Sequence, residues 1–345
     1  MDQGAAPVGI TPATASAPED AMSAEASTNE PVAAIDWSAA GGMGGSLTIG
    51  RDGRPRLEDS SPSARPDGPD TVAGPHRGFK VSITIDQQPR SPAPATCERT
   101  RELYLDLMKK CLTRLVFAES GPPIHPLFPK FVERFRREGR DWPADAETMV
   151  GITRLDNVQD CIVDVIQRQV PGDLIEAGVW RGGTTIFMRA VLEVYGDTER
   201  KVWVADSFAG LPTPDYEVYP ADRLTDVWQS PQLAVALEDV KANFARYGFL
   251  DDRVQYLKGW FKDTLPVAPI DKLAVMRLDG DLYQSTMDGL VALYPKLSVG
   301  GYVILDDYNL IPPVKMAADD YRRQHGIVEP VQTIDWNGSF WQKER

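Results

Sequence analysis

The chain has 345 residues, 42% of them hydrophobic and 25% charged, enough apolar material for one large domain or two ordinary ones. Its formal charge of −13 argues against nucleic-acid binding through a basic face, because neutralising phosphates takes clustered Lys and Arg. No apolar run reaches the roughly 18–20 residues of a membrane span.

Residues 1–98 hold 12 of the 28 prolines and eleven glycines but only two aromatics, Trp37 and Phe79. Such a stretch buries too little apolar surface to offset its ordering entropy, so a mostly disordered leader is expected there. Within it, Phe79 to Ile85 alternates as a strand does. The folded part is expected at 99–345, with helices over 99–170 and a core sheet over 171–345. The first residues lack the basic start and apolar stretch of a secretory signal. Cys97, Cys111 and Cys161 are an odd number without metal-type spacing, which disfavours disulfides and a cysteine–zinc site. A cytoplasmic protein is expected.

The spacing predicts a helix from Arg101 to Phe117, with Leu103, Leu107, Cys111 and Leu115 on its apolar face. A more charged helix is expected from Phe128 to Glu138. A third runs from Leu155 to Gln169 and stops at Pro171-Gly172. Short apolar runs then alternate with helices: 174–177, 202–205, 254–257, 273–278 and 302–305. Such runs point to a parallel sheet covered on both faces. At the end, 328–334 and 339–342 flank Asn337-Gly338, a tight-hairpin signal. The fold expected is α/β, a sheet of seven strands made of five crossover strands and a C-terminal antiparallel hairpin.

The first of these strands ends in Glu176 and runs through Ala177, Gly178, Val179, Trp180 and Arg181 to Gly182, Gly183 and Thr184. Glycines let backbone approach a ligand, and helix-start N–H groups favour an anion. The spacing is G-x-x-x-G-G, which is neither the dinucleotide fingerprint nor a P-loop. On its own the loop is equally a tight turn with Glu176 as a cap or salt-bridge partner. The second strand ends in Asp206, where an acid can hydrogen-bond both hydroxyls of a ribose; the alternative is a helix cap. Together the two acids suit a nucleoside-containing ligand with a free amino group better than a pyrophosphate.

The fourth strand ends Asp279-Gly280-Asp281 and the fifth Asp306-Asp307. In a parallel sheet these ends share the ligand-binding edge. Carboxylates converging there repel each other unless a cation is present, and an all-oxygen set suits Mg²⁺ or Mn²⁺. Trp260, after Lys258-Gly259 at a strand end, is placed to stack on adenine. The three histidines form no catalytic or metal-binding pattern.

Several motifs together resemble the macrocin O-methyltransferase family. They are Asp141-Trp142-Pro143, Arg154-Leu155-Asp156-Asn157, the run from Pro171 to Gly183, the run from Val202 to Pro212, Lys258 to Thr264, and Leu278 to Tyr283. The resemblance covers about 100–345. It implies a class I methyltransferase (Rossmann-like) fold and an S-adenosylmethionine-dependent, Mg²⁺-dependent enzyme that methylates sugar hydroxyls on antibiotics. By motif position, Glu176, Gly178, Gly182 and Gly183 cradle the methionine end, and Asp206 with Ser207 holds the ribose. Gly259 and Trp260 line the adenine, and Asp279, Asp306 and Asp307 hold the metal. Related catechol enzymes use a lysine base, but Gly280-Asp281-Leu282 offers none. Asp279 is the first candidate base and Asp281 the second. Ala177 and Gln284 stand where the family often has threonine and glutamate. The partner implied is a small glycoside, and the assembly expected is a homodimer. The alternatives weighed are a nicotinamide-dependent dehydrogenase and a non-catalytic binding module of the same fold.

Overall fold

The computed structural model describes residues 45–49, 55–59, 94–124 and 130–345. They belong to two units, divided between Asp86 and Gln87. In the first, β1 (Gly45–Ile49) pairs antiparallel with β2 (Pro55–Asp59), Leu47 opposite Leu57. Composition alone concealed this ribbon, although Asp52-Gly53 is a tight-turn dipeptide. The alternating stretch 79–85 lies outside the described residues.

The second unit begins with α1 (Pro94–Leu112), α2 (Glu133–Arg137) and α3 (Ile152–Gln167). The α1 helix starts before the expected boundary and stops five residues before Phe117, where Arg114 takes a φ of 56°. Its buried stripe is Leu105, Met108 and Leu112, whereas Leu103 and Leu107 are exposed. The expectation chose the wrong one of two apolar stripes. The Leu105, Met108 and Leu112 face packs against α4 (Gly183–Val194). Burying each such leucine contributes about 1.5–3 kcal/mol.

The strands are β3 (Asp173–Ala177), β4 (Val202–Asp206), β5 (Val254–Lys258), β6 (Leu273–Leu278), β7 (Leu297–Leu305), β8 (Gln332–Thr333) and β9 (Ser339–Gln342). The remaining helices are α5 (Leu237–Arg246), α6 (Phe261–Thr264), α7 (Tyr283–Leu293) and α8 (Pro312–Gln324). The sheet order is β5-β4-β3-β6-β7-β9-β8. The pairs β5–β4, β4–β3, β3–β6 and β6–β7 are parallel, and β9 lies antiparallel to both β7 and β8. Five parallel strands with a terminal antiparallel hairpin match the expected class I methyltransferase topology.

Alternation sets the two faces. Leu174, Val202, Val204, Val275 and Ile304 pack in the cluster that contains α1, α3 and α4. Ile175, Trp203, Met276, Val303 and Leu305 pack with Leu290, Leu293, Ala318 and Tyr321 on the other side. By the same parity, Glu176, Asp206, Arg277 and Asp306 take the α3–α4 face at the strand ends. Among the described residues no helix is long and apolar enough to cross a membrane.

Candidate active site

A cavity of about 930 Å³ opens at the C-terminal edge of the parallel strands. It is lined by Glu176, Gly178, Asp206, Ser207, Gly259, Trp260, Asp279, Asp281, Asp306 and Asp307. Of the residues expected at the site, only Gly182 and Gly183 are set back from the wall.

Their glycines have separate reasons. Gly178 has a φ of 90°, and a Cβ there would lie 1.8 Å from the Asp279 carbonyl oxygen. The turn after β3 therefore touches the turn after β6. Gly182 starts α4 with a φ of 84°. A Cβ on Gly183 would meet the Glu147 backbone at 2.5 Å, and the Gly183 N–H donates to the Glu147 carbonyl. The segment before α3 is thereby packed onto the glycine turn, bringing Trp142, Thr148 and Met149 to the cavity.

Asp206 accepts the backbone N–H groups of Val179 and Phe208, each at 2.8 Å. It ties β4 to the glycine turn while lining the cavity. Burial pushes its carboxyl up, and these N–H bonds oppose that. Glu176 pairs through Oε1 with Arg277, while its buried Oε2 has no hydrogen-bond partner. Burial, only partly offset by Arg277, pushes Glu176 up to about 8. A cofactor ammonium would satisfy that oxygen.

The acids divide into two sets. One carboxylate oxygen from each of Asp279, Asp281 and Asp307 lies within 4.8 Å of the others, a group that could hold a metal ion. Asp306 stands apart: one of its oxygens pairs with Arg277 and the other with Arg154. Burial works against its charge, but the two arginines hold its carboxyl below the ordinary range. Asp306 and Asp307 thus have different surroundings although they are neighbours. Asp307 accepts Asn337 Nδ2 at 2.9 Å through Oδ1, and its buried Oδ2 is unpartnered. Burial, then the charges of Asp281, Asp279 and Asp306, pushes Asp307 well up. Asp279 and Asp281 are raised by burial first and by neighbouring carboxylates next. Three crowded acids and one orphaned oxygen fit a hard divalent cation.

Three partners escaped sequence reading. Arg277 lay inside an apolar strand run, Arg154 had no assigned role, and Asn337 registered only as a turn residue. A charged residue amid Leu273–Leu278 was the available signal, because a fully buried Arg needs acids.

A Rossmann-like sheet with this edge defines a class I methyltransferase. A family model described as macrocin O-methyltransferase matches residues 127–343, and the chain belongs to that family. It is an O-methyltransferase, and the dehydrogenase reading falls. The chain is 53% identical over 245 residues to an 8-demethyl-8-(2,3-dimethoxy-alpha-L-rhamnosyl)-tetracenomycin-C 4'-O-methyltransferase of Streptomyces olivaceus, covering 71% of this chain and 94% of that one. It is 49% identical to a demethyldecarbamoylnovobiocin O-methyltransferase of Streptomyces niveus, covering 74% and 100%. The solved O-methyltransferase NovP superposes with a TM-score of 0.67 at 51% identity, covering 71% of this chain and all of that one.

Proposed function

We propose that this enzyme transfers a methyl group from S-adenosylmethionine to a hydroxyl of a deoxysugar on a glycosylated natural product or glycolipid, with Mg²⁺ as cofactor. The observation that carries this reading is the acid cluster Asp279, Asp281 and Asp307 beside the glycine turn, in one cavity. The named activities of the relatives supply the acceptor class: one is named for a rhamnosyl-tetracenomycin and another for demethyldecarbamoylnovobiocin.

Glu176 binds the cofactor ammonium through its free oxygen, Gly178 and the turn to Gly183 admit the methionine end, and Asp206 with Ser207 holds the ribose. Gly259 and Trp260 flank the adenine. Methyl transfer from a sulfonium is an in-line displacement, so these residues work by positioning. A sugar hydroxyl is a poor nucleophile, and a bound divalent cation supplies the charge that lowers its pKa. Asp279 and Asp307 would hold that cation, and the neighbouring Asp281 carboxylate would add to the negative charge that attracts it. Asp306 adds negative charge from behind and fixes Arg154 and Arg277. Asp281 is the base: Asp279 is held by Arg277 at 2.9 Å, while Asp281 extends from the next turn toward the same space.

Residues 1–86 are proposed to be dispensable for this chemistry. The assembly is proposed to be a homodimer, supported by exposed Leu103, Leu107 and Phe117, and the location cytoplasmic, supported by the free thiols. Calorimetry with S-adenosylhomocysteine and with Mn²⁺ tests the two sites separately. Binding of both supports the reading, and absence of either removes the corresponding half.

A further inference from the structure

Helix α7 follows the acid turn directly, and its own N-cap position is Leu282, which makes no side-chain cap. The free N–H groups there are satisfied from far away in sequence. The Tyr283 N–H donates to Asp222 Oδ1 at 2.6 Å, and the Gln284 N–H donates to Asp222 Oδ2 at 3.4 Å. Asp222 is fully buried and sits in the short 3₁₀ turn Pro220–Leu224. That turn packs on α7 and α8, and the Tyr219 and Tyr283 rings lie 6.1 Å apart.

Two features make this cap more than helix repair. Asp281, two residues before Tyr283, has a φ of 59°, a left-handed conformation that costs a non-glycine residue energy and persists only where its surroundings fix it. The Leu282 N–H donates to the Gly280 carbonyl at 2.7 Å, closing the turn around Asp281, and α7 begins immediately after it. Meanwhile the chain on either side of Asp222 forms cavity wall through Asp215, Val218, Tyr219, Thr225 and Val227.

We infer that Asp222 is a positioning residue: by capping α7 from the cavity-wall segment, it holds Asp281 in its left-handed turn and registers that wall against the acid cluster. It is not part of the cavity lining and acts through the α7 backbone. The inference rests on the reading of the acid cluster given above.

The test uses the full chain as Asp222→Ala and Asp222→Asn, because the asparagine retains one acceptor oxygen. Crystal structures of both are compared with the parent, and Mn²⁺ and S-adenosylhomocysteine are titrated into each. In Asp222→Ala, Asp281 should leave its left-handed conformation and its carboxylate should leave the cluster. Mn²⁺ affinity should fall about tenfold or more, because the cluster loses the carboxylate next to the cation's two ligands, an effect of the size seen when a group supporting a metal site is removed. S-adenosylhomocysteine affinity should stay within about twofold, and Asp222→Asn should recover most of the Mn²⁺ affinity. If Asp222→Ala fails to fold, Asp222→Asn carries the test: its Asp281 turn should match the parent, with a smaller Mn²⁺ loss. An unchanged Asp281 turn in Asp222→Ala, or in Asp222→Asn a displaced turn with parental Mn²⁺ affinity, overturns the inference. A parent that binds no Mn²⁺ overturns the cation reading instead, and the Asp281 geometry still decides the role of Asp222.

Discussion

Arg277 stands directly across from Glu176 in the parallel register of β3 and β6, and its guanidinium pairs with that carboxylate. The same guanidinium reaches Asp279 at 2.9 Å and pairs with Asp306. One fully buried cation therefore joins the acid proposed for the cofactor to the acids at the ends of β6 and β7. Burial works against its charge, but Asp306, Asp279 and Glu176 outweigh this and keep it protonated. Buried charges of this kind hold only while paired.

That dependence separates two neighbouring aspartates. Asp306→Asn leaves Arg154 and Arg277 short of a counter-charge, so it should lower stability by about 3–5 kcal/mol. Asp307→Asn relieves crowding among acids and should leave the metal-free protein as stable as the parent, or more so. Thermal unfolding in EDTA measures both. Equal losses in the two variants would show that the arginine pairing of Asp306 is not what stabilises this edge.

Asp206→Ala removes the acceptor for the Val179 and Phe208 N–H groups and, on the proposed reading, the ribose contacts. Hydrogen bonds to a charged group contribute roughly 1.5–3 kcal/mol each, so S-adenosylhomocysteine should bind at least about tenfold more weakly. Mn²⁺ binding should not change. Calorimetry showing an unaltered cofactor affinity would refute the ribose assignment.

Asp288 lines the cavity, and burial pushes its carboxyl up to about 6 against the opposing pull of Lys262. A carboxyl raised by folding stabilises the fold while protonated. That contribution is complete below the unfolded pKa and is lost as pH rises through about 6. Asp288→Asn should therefore be more stable than the parent at about pH 7, by roughly 1 kcal/mol or less because the site is partly open to solvent. The difference should vanish near about pH 3, where the unfolded carboxyl is also largely protonated. Denaturant unfolding at both pH values checks the sign.

A chain starting at Gln87 retains all of α1, including Arg101, whose Nε donates to the Val194 carbonyl at 3.0 Å. It should fold and bind S-adenosylhomocysteine as the full chain does. Insolubility, or a tenfold loss of affinity, would show that residues 1–86 contribute to the site. A start at residue 99, the boundary that composition suggested, would cut into α1.

Much of this edge was legible because strand ends announce themselves: an apolar run, then an acid, then glycine or aspartate. Glu176, Asp206, Asp279 and Asp307 were found that way. What the sequence concealed depends on side-chain parity and tertiary reach. Arg277 and Asp306 share a sheet face by alternation, a fact that matters only once β6 and β7 are known to be neighbours. Asn337 reaches Asp307 across a hairpin, and Asp222 caps a helix that begins 61 residues later. The apolar stripe of α1 was misassigned because two stripes coexist and only packing on α4 chooses between them.

The central claim is that the enzyme methylates a sugar hydroxyl of a glycoside. Mass spectrometry of glycosides made by otherwise identical cells with and without the protein tests it most directly. Cells lacking it should accumulate a glycoside one methylene lighter. Purified protein with S-adenosylmethionine and Mg²⁺ should restore the mass, releasing one S-adenosylhomocysteine per methyl, and EDTA should block the conversion. Identical glycoside profiles in the two cells would contradict the account.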